Sequence, residues 1–173
     1  MIVCVDEAAF YLLPGVVRTY APRGERPELR VMLTRKHLSA MSGVTTTGKL
    51  ASLIRRRSLT GEDSSLFLRH LFDYLNQKLL VIWDCGNIHR AEEVKALLSC
   101  GWAGLIQVEE FPAYAPDLNP DERVWQHLKH VELRNLCCRD LDRLEAELKL
   151  AIRRIRRKPG LIQSFFAGAG LNL

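Results

Sequence analysis

The chain has 173 residues, 47% of them apolar, with 25 Lys/Arg against 20 Asp/Glu, a formal charge of +5 and a pI near 9.1. This length suits one domain with a sizeable core, and the apolar share excludes a disordered chain. No apolar run approaches the roughly 20 residues that span a bilayer, and Asp6 and Glu7 interrupt the N-terminal apolar stretch, so neither a membrane span nor a signal peptide is expected.

Ile2-Val3-Cys4-Val5 reads as a short buried strand, apolar on both faces, with Asp6 directly after it. Pro14, Gly15, Pro22, Gly24 and Pro27 punctuate a loop-rich stretch over 13–28. Extended segments over 36–46 and 49–58 are predicted to join as a hairpin at Thr47-Gly48. Gly61-Glu62-Asp63-Ser64 offers capping residues for a helix over 64–76, with Leu68, Leu71, Phe72 and Leu75 on one face. Leu79-Leu80-Val81-Ile82-Trp83 is a second buried strand, followed by Asp84.

A helix is predicted from His89 to Cys100, stopped by Gly101, and a strand over 104–108. A proline-marked loop, Phe111 to Pro120, leads into a helix that Asn119 caps, with Pro120 first and Asp121 and Glu122 in the opening turn. A last amphipathic helix over 140–157 carries Leu141, Leu144, Leu148, Ile152 and Ile155, and 159–173 reads as a short tail. If the first strand and the 79–83 strand are parallel neighbours, Asp6 and Asp84 lie side by side at their C-terminal ends, where open α/β sheets hold their ligands.

Between Arg123 and Lys158 stand 11 Lys/Arg against 5 Asp/Glu, which leaves 14 against 15 elsewhere. Such a segment is a solvated helix face or a phosphate-binding surface. The five cysteines, Cys4, Cys85, Cys100, Cys137 and Cys138, are odd in number and contain no CxxC pair, which reads as reduced thiols. Their spacing to His127 and His130 is poor for zinc.

Asp6, Asp84 and Glu122 are therefore the residues of interest. Two acids at strand ends and one at a helix start can converge on a pair of Mg²⁺ ions, the equipment for metal-assisted phosphodiester chemistry. Taken singly, each acid is more simply a strand-end or helix-start charge. Glu7 is expected to face away from Asp6, because successive strand residues alternate sides. Trp125 reads as core.

The residues around these acids match a family. Val5-Asp6-Glu7-Ala8-Ala9-Phe10-Tyr11-Leu12-Leu13-Pro14 resembles the first catalytic block of the DDE transposases of bacterial insertion sequences related to the mariner elements. Arg18 to Pro27 resembles the loop after it, and Trp83-Asp84-Cys85-Gly86-Asn87-Ile88-His89 the second block. The third block is the most specific: Leu118-Asn119-Pro120-Asp121-Glu122-Arg123-Val124-Trp125, followed by Leu128-Lys129.

The resemblance implies a ribonuclease H-like α/β fold with a central mixed sheet flanked by helices. It implies Mg²⁺-dependent DNA cleavage and strand transfer, with two ions per site, Mn²⁺ as a substitute, and Asp6, Asp84 and Glu122 as catalytic ligands. Asp121 would point about 100° away from Glu122 around the helix. Asn87, His89 and Asn119 are candidates for supporting the acids or touching DNA, with Asn119 most simply the helix cap and His89 a group that could orient Asp84. Arg123, Lys129, Arg153, Arg154, Arg156 and Arg157 are candidates for phosphate contacts.

The expected partners are transposon terminal inverted repeats and a TA target. A homodimer is expected in the active complex, and the location is the cytoplasm, on the nucleoid. Cys85 stands where the family commonly has Asn, and 37 residues separate Asp84 from Glu122, slightly more than is usual. Residues 1–173 are expected to form one catalytic domain. Complete members carry helix-turn-helix modules upstream, but Met1 lies only five residues before Asp6. The expectation is thus the catalytic half of a split element, working with a separate helix-turn-helix subunit or upstream frame product, or else a truncated remnant. Two alternatives stand beside the transposase reading: another ribonuclease H-like nuclease, and an inactive DNA-binding remnant.

Overall fold

The computed structural model describes residues 1–13, 16–18, 20–24, 28, 34–112 and 115–171. Its elements run β1 (Ile2–Tyr11), β2 (His37–Thr45), β3 (Leu50–Arg55), α1 (Gly61–Leu75), β4 (Leu79–Trp83), α2 (Glu92–Leu97), β5 (Ile106–Glu110), α3 (Pro120–His127), α4 (Leu141–Arg156) and α5 (Pro159–Gly168). The strands form one mixed sheet in the order β3-β2-β1-β4-β5. β1, β2 and β3 are antiparallel neighbours, whereas β1, β4 and β5 run parallel. The condition set for Asp6 and Asp84, that the first strand and the 79–83 strand be parallel neighbours, is met.

Alternation along the strands divides the core in two. Val3, Val5 and Met41 pack against Phe67, Leu68 and Leu71 of α1 and Val94 and Leu97 of α2. Cys4, Phe10, Leu38 and Val44 pack on the other face, against Trp125 of α3, Leu148 and Ile155 of α4, and Ile162 and Phe166 of α5. Helices thus cover both faces, the arrangement a partly parallel sheet requires. The hairpin turns at Thr47-Gly48 as predicted. Gly48 has φ +81°, and a side chain there would run into the backbone of Pro159.

Five expectations need correction, the start of α1 among them. β1 does not stop at Val5: it continues to Tyr11 because β2 pairs with it from Val3 opposite Thr45 to Tyr11 opposite His37. The helix expected from His89 starts at Glu92, because His89 closes a tight turn onto the Gly86 carbonyl and Ala91 is extended. The strand expected over 104–108 lies at Ile106–Glu110. Residues 159–173 are no mere tail: Pro159 opens α5, which buries Ile162, Phe165 and Phe166. Parts of the loop expected over 13–28, of the family-like stretch Arg18 to Pro27 and of the loop from Phe111 to Pro120 lie outside the described residues.

α1 begins earlier than predicted, at Gly61, because Thr60 and Asp63 supply its start. The Asp63 carboxylate accepts from the Thr60 backbone (3.1 Å), Arg55 Nε (2.7 Å) and both terminal nitrogens of Arg57. Burial alone would raise its pKa, but the Arg57, Arg55 and Thr60 hydrogen bonds outweigh that and bring it from 3.8 down to about 2. A depressed carboxylate contributes stability above its unfolded pKa and loses it as pH falls through about 2. Asp63→Ala should cost about 2 kcal/mol at neutral pH, since it removes a helix start together with an ion pair whose carboxylate is buried and whose arginines are partly exposed. Urea denaturation checks this, and a loss under about 1 kcal/mol would mean the pair is no better than an exposed one.

Candidate active site

β4 pairs with β1 only from Ile2 to Cys4, so the two strands part just before Asp6 and Asp84. The opening between them is a cleft of about 410 Å³ whose lining includes Asp6, Asp84 and Glu122 together with Cys85, Gly86 and Asn119. The structure thus brings the three predicted acids into one cleft, from β1, from the first residue after β4 and from the first turn of α3.

Three contacts hold α3 where its opening turn meets the sheet. Asn119 Oδ1 accepts from the Asp121 backbone N–H (3.0 Å), as a capping residue should. Its Nδ2 donates to the Val5 carbonyl (3.2 Å), one residue before Asp6. Asp121 is completely buried, and both carboxylate oxygens lie 2.8 Å from Ser42 Oγ on β2. Burial, and then the charge of Asp6, hold the Asp121 pKa well above its ordinary value. Asp121 is therefore a strap between helix and sheet, while Glu122 lines the cleft.

Asp6 is 8% exposed, and its Oδ2 is buried without a hydrogen-bond partner. Burial first, then the negative charge of Glu122, push its pKa from 3.8 up to about 8; Glu7 and Asp84 add smaller repulsions. A buried carboxylate lacking a partner and crowded by other acids is short of a cation. The donor set is oxygen-rich and open on one side, which fits a hard divalent ion. Asp84 Oδ1 accepts from the Gly86 backbone N–H (2.9 Å).

Glu7 was expected to face away from Asp6. It does follow the alternation, but the end of β4 brings other groups within its reach. Glu7 Oε1 lies 3.0 Å and Asp84 Oδ1 3.2 Å from His89 Nε2. Among the described residues these three form the group of potential ligand atoms lying within 4.8 Å of one another. No sequence signal marked Glu7 for this role, because strand alternation says nothing about what the neighbouring strand's end carries.

The remaining candidates divide. Cys85 Sγ donates to Glu110 Oε2 (3.4 Å), and Glu110 is held by Arg90 through bonds of 2.7 and 2.6 Å, so a thiol makes the polar contact at this position. Asn87 is exposed in the turn after Asp84. Lys129 sits over the Phe10 ring, 5.5 Å from its centroid. Arg123 donates to the Gly168 carbonyl at the end of α5. Arg154 pairs with Glu132, and Arg156 donates to the Leu50 carbonyl and Ser52. Arg153 and Arg157 are exposed with no ion pair among the described residues. The basic run is thus partly spent on packing α4 and α5 against the rest of the chain. No helix among the described residues is long and apolar enough to cross a membrane.

Comparison with known proteins identifies the fold and the family. Solved structures that share the fold include a Mos1 transposase paired-end complex with left transposon end, 17% identical over 98% of this chain and 55% of that one, with a TM-score of 0.65. The catalytic domain of Mos1 mariner transposase matches at 16% identity over 98% of this chain and 82% of that one, with a TM-score of 0.56. A simian T-cell lymphotropic virus intasome matches at 15% identity over 87% and 46%, with a TM-score of 0.59. The fold is the ribonuclease H-like fold of these proteins, and the chain spans about half the length of the full transposase chains it matches. No curated protein matches its sequence. The model of the DDE superfamily endonuclease matches residues 1–145. With five-sixths of its length covered by that model and three acids converging in the cleft, the chain belongs to the DDE superfamily endonuclease family.

Proposed function

We propose that this chain is the catalytic domain of an insertion-sequence transposase, cutting DNA at transposon ends and joining them to a target. The observation that carries this reading is the convergence of Asp6, Asp84 and Glu122 on one cleft, with a buried Asp6 oxygen left unpartnered. Asp6, Asp84 and Glu122 would hold two divalent ions, Mg²⁺ or Mn²⁺. Bound there, such ions would supply Lewis-acid polarisation of the phosphodiester and neutralise the charge that develops on its oxygens.

The chain's own residues do the rest. Asn119 and Asp121 fix the first turn of α3, and so the reach of Glu122. Gly86 anchors one oxygen of Asp84. Lys129, Arg153 and Arg157, with Asn87 at the rim, are the proposed phosphate contacts, and each phosphate neutralised would contribute about −0.9 to the slope of log K against log salt on duplex DNA. The proposed partners are terminal inverted repeats and a TA target. A homodimer would bring two ends together, with a helix-turn-helix module or subunit supplying end recognition. The proposed location is the cytoplasm, on the nucleoid.

The test is nicking of supercoiled plasmid with Mg²⁺ or Mn²⁺ by wild type, Asp84→Asn and Glu122→Gln. The expected result is metal-dependent nicking by wild type that falls to background in both variants. Equal nicking by all three would overturn the site.

A further inference from the structure

We propose that Glu7 and His89 form a positioning pair that holds Asp84 in its working orientation, with Glu7 acting through His89. This rests on the reading of Asp84 as a metal ligand. The His89 side chain is 0% exposed and stacked on Trp83, with ring centroids 4.0 Å apart at 17°. The His89 backbone N–H closes the turn onto the Gly86 carbonyl (3.0 Å), and any side chain at Gly86 would meet Asp84 Oδ1 at 2.8 Å and His89 Cδ2 at 3.2 Å.

The buried, stacked ring places Nε2 between two carboxylate oxygens, Glu7 at 3.0 Å and Asp84 at 3.2 Å. Neither contact is well aligned, and Nε2, Nδ1 and Glu7 Oε1 are all buried without a well-directed partner. One N–H divided between two acceptors accounts for the geometry at Nε2. Two anionic oxygens on the same side favour the tautomer protonated at Nε2, so the ring offers Asp84 a donor and not a lone pair. Glu7 is thus the group that makes His89 a donor. Without it the proton is freer to move to Nδ1, and the Nε2 lone pair would then repel Asp84. Groups that orient a ligating carboxylate typically change metal affinity by 10- to 100-fold.

The test measures Mn²⁺ binding by the loss of the free-ion EPR signal, alongside plasmid nicking, in wild type, Glu7→Gln, His89→Gln and the double variant. Each single variant should weaken Mn²⁺ binding by about 10-fold or more. The Mn²⁺ concentration for half-maximal nicking should rise in step, while the rate at saturating Mn²⁺ stays within a few-fold. Because Glu7 acts through His89, the double variant should bind no worse than His89→Gln alone. If His89→Gln folds poorly, His89→Phe keeps an aromatic ring against Trp83 while removing both nitrogens. Unchanged Mn²⁺ affinity in either single variant overturns the proposal, as do additive losses, which would make Glu7 an independent ligand. Asp84→Asn separates this from the underlying site: if it too leaves Mn²⁺ binding intact, the assignment of Asp84 fails, and not merely the pair.

Discussion

Asp6→Asn is expected to abolish metal-dependent nicking and, in the same protein, to raise stability when no metal is present. Both effects have one cause. The Asp6 carboxylate is buried, has an unpartnered oxygen and faces Glu122, so its pKa rises from 3.8 to about 8. A raised carboxyl pKa contributes stability that is fully present below the unfolded value and is lost as pH climbs through the folded one. Between about pH 4 and pH 8 the unfolded chain has released this proton while the native chain retains it. Stability of the metal-free protein should therefore fall across that window, by at most about 1.4 kcal/mol per pH unit for this group. Asp121, also raised, adds to the same slope.

Asn at position 6 keeps the shape and removes the charge. Urea denaturation in EDTA should find wild type and Asp6→Asn similar near pH 4 and the variant more stable at pH 8. Added Mg²⁺ should reverse the order, because it stabilises only the protein that binds it, by RT ln(1 + [Mg²⁺]/Kd). Parallel pH profiles for the two proteins would mean that Asp6 is not strained in the native state. A site that works against the stability of its own fold is a common feature of catalytic centres.

Phe166→Ala should destabilise the protein by about 3–5 kcal/mol, the range for removing a buried aromatic ring. Phe166 is 3% exposed, and Ile162 and Phe165 beside it are also buried. They close the core beneath α3 and α4, where Trp125 meets Phe10 edge to face at 5.8 Å. Arg123 reinforces the contact through the carbonyl of Gly168. A loss of this size is a large share of the 5–15 kcal/mol that typically holds a domain together. Removing α5 altogether should leave a chain that does not unfold cooperatively. Denaturant midpoints measure both, and a change under about 1 kcal/mol in Phe166→Ala would mean that α5 merely rests on the surface.

Much of this molecule could be read from local sequence, and the reason is consistent. The hairpin at Thr47-Gly48, the α3 start at Asn119-Pro120 and the Leu144, Leu148, Ile152 and Ile155 stripe of α4 all depend on contacts within a few residues. Turn conformations, caps and helical periodicity are short-range physics. The three acids were legible because each sits in a short string that resembles a block of a known family, the Leu118–Trp125 string most specifically.

The tertiary structure decided what depends on distant partners. β1 runs past Asp6 only because β2 pairs with it, so Asp6 lies within a strand and not at its end. α5 forms where the sequence suggested a tail, because the apolar surface of α3 and α4 gives ten residues something to bury. Asp121 becomes a strap only when Ser42, 79 positions away, comes opposite it. Glu7 reaches His89 and Asp84 because β1 and β4 lie side by side and part at that point. The family-like strings marked the acids; chain crossings set the burial of Asp6 and the support around Asp84 and Glu122.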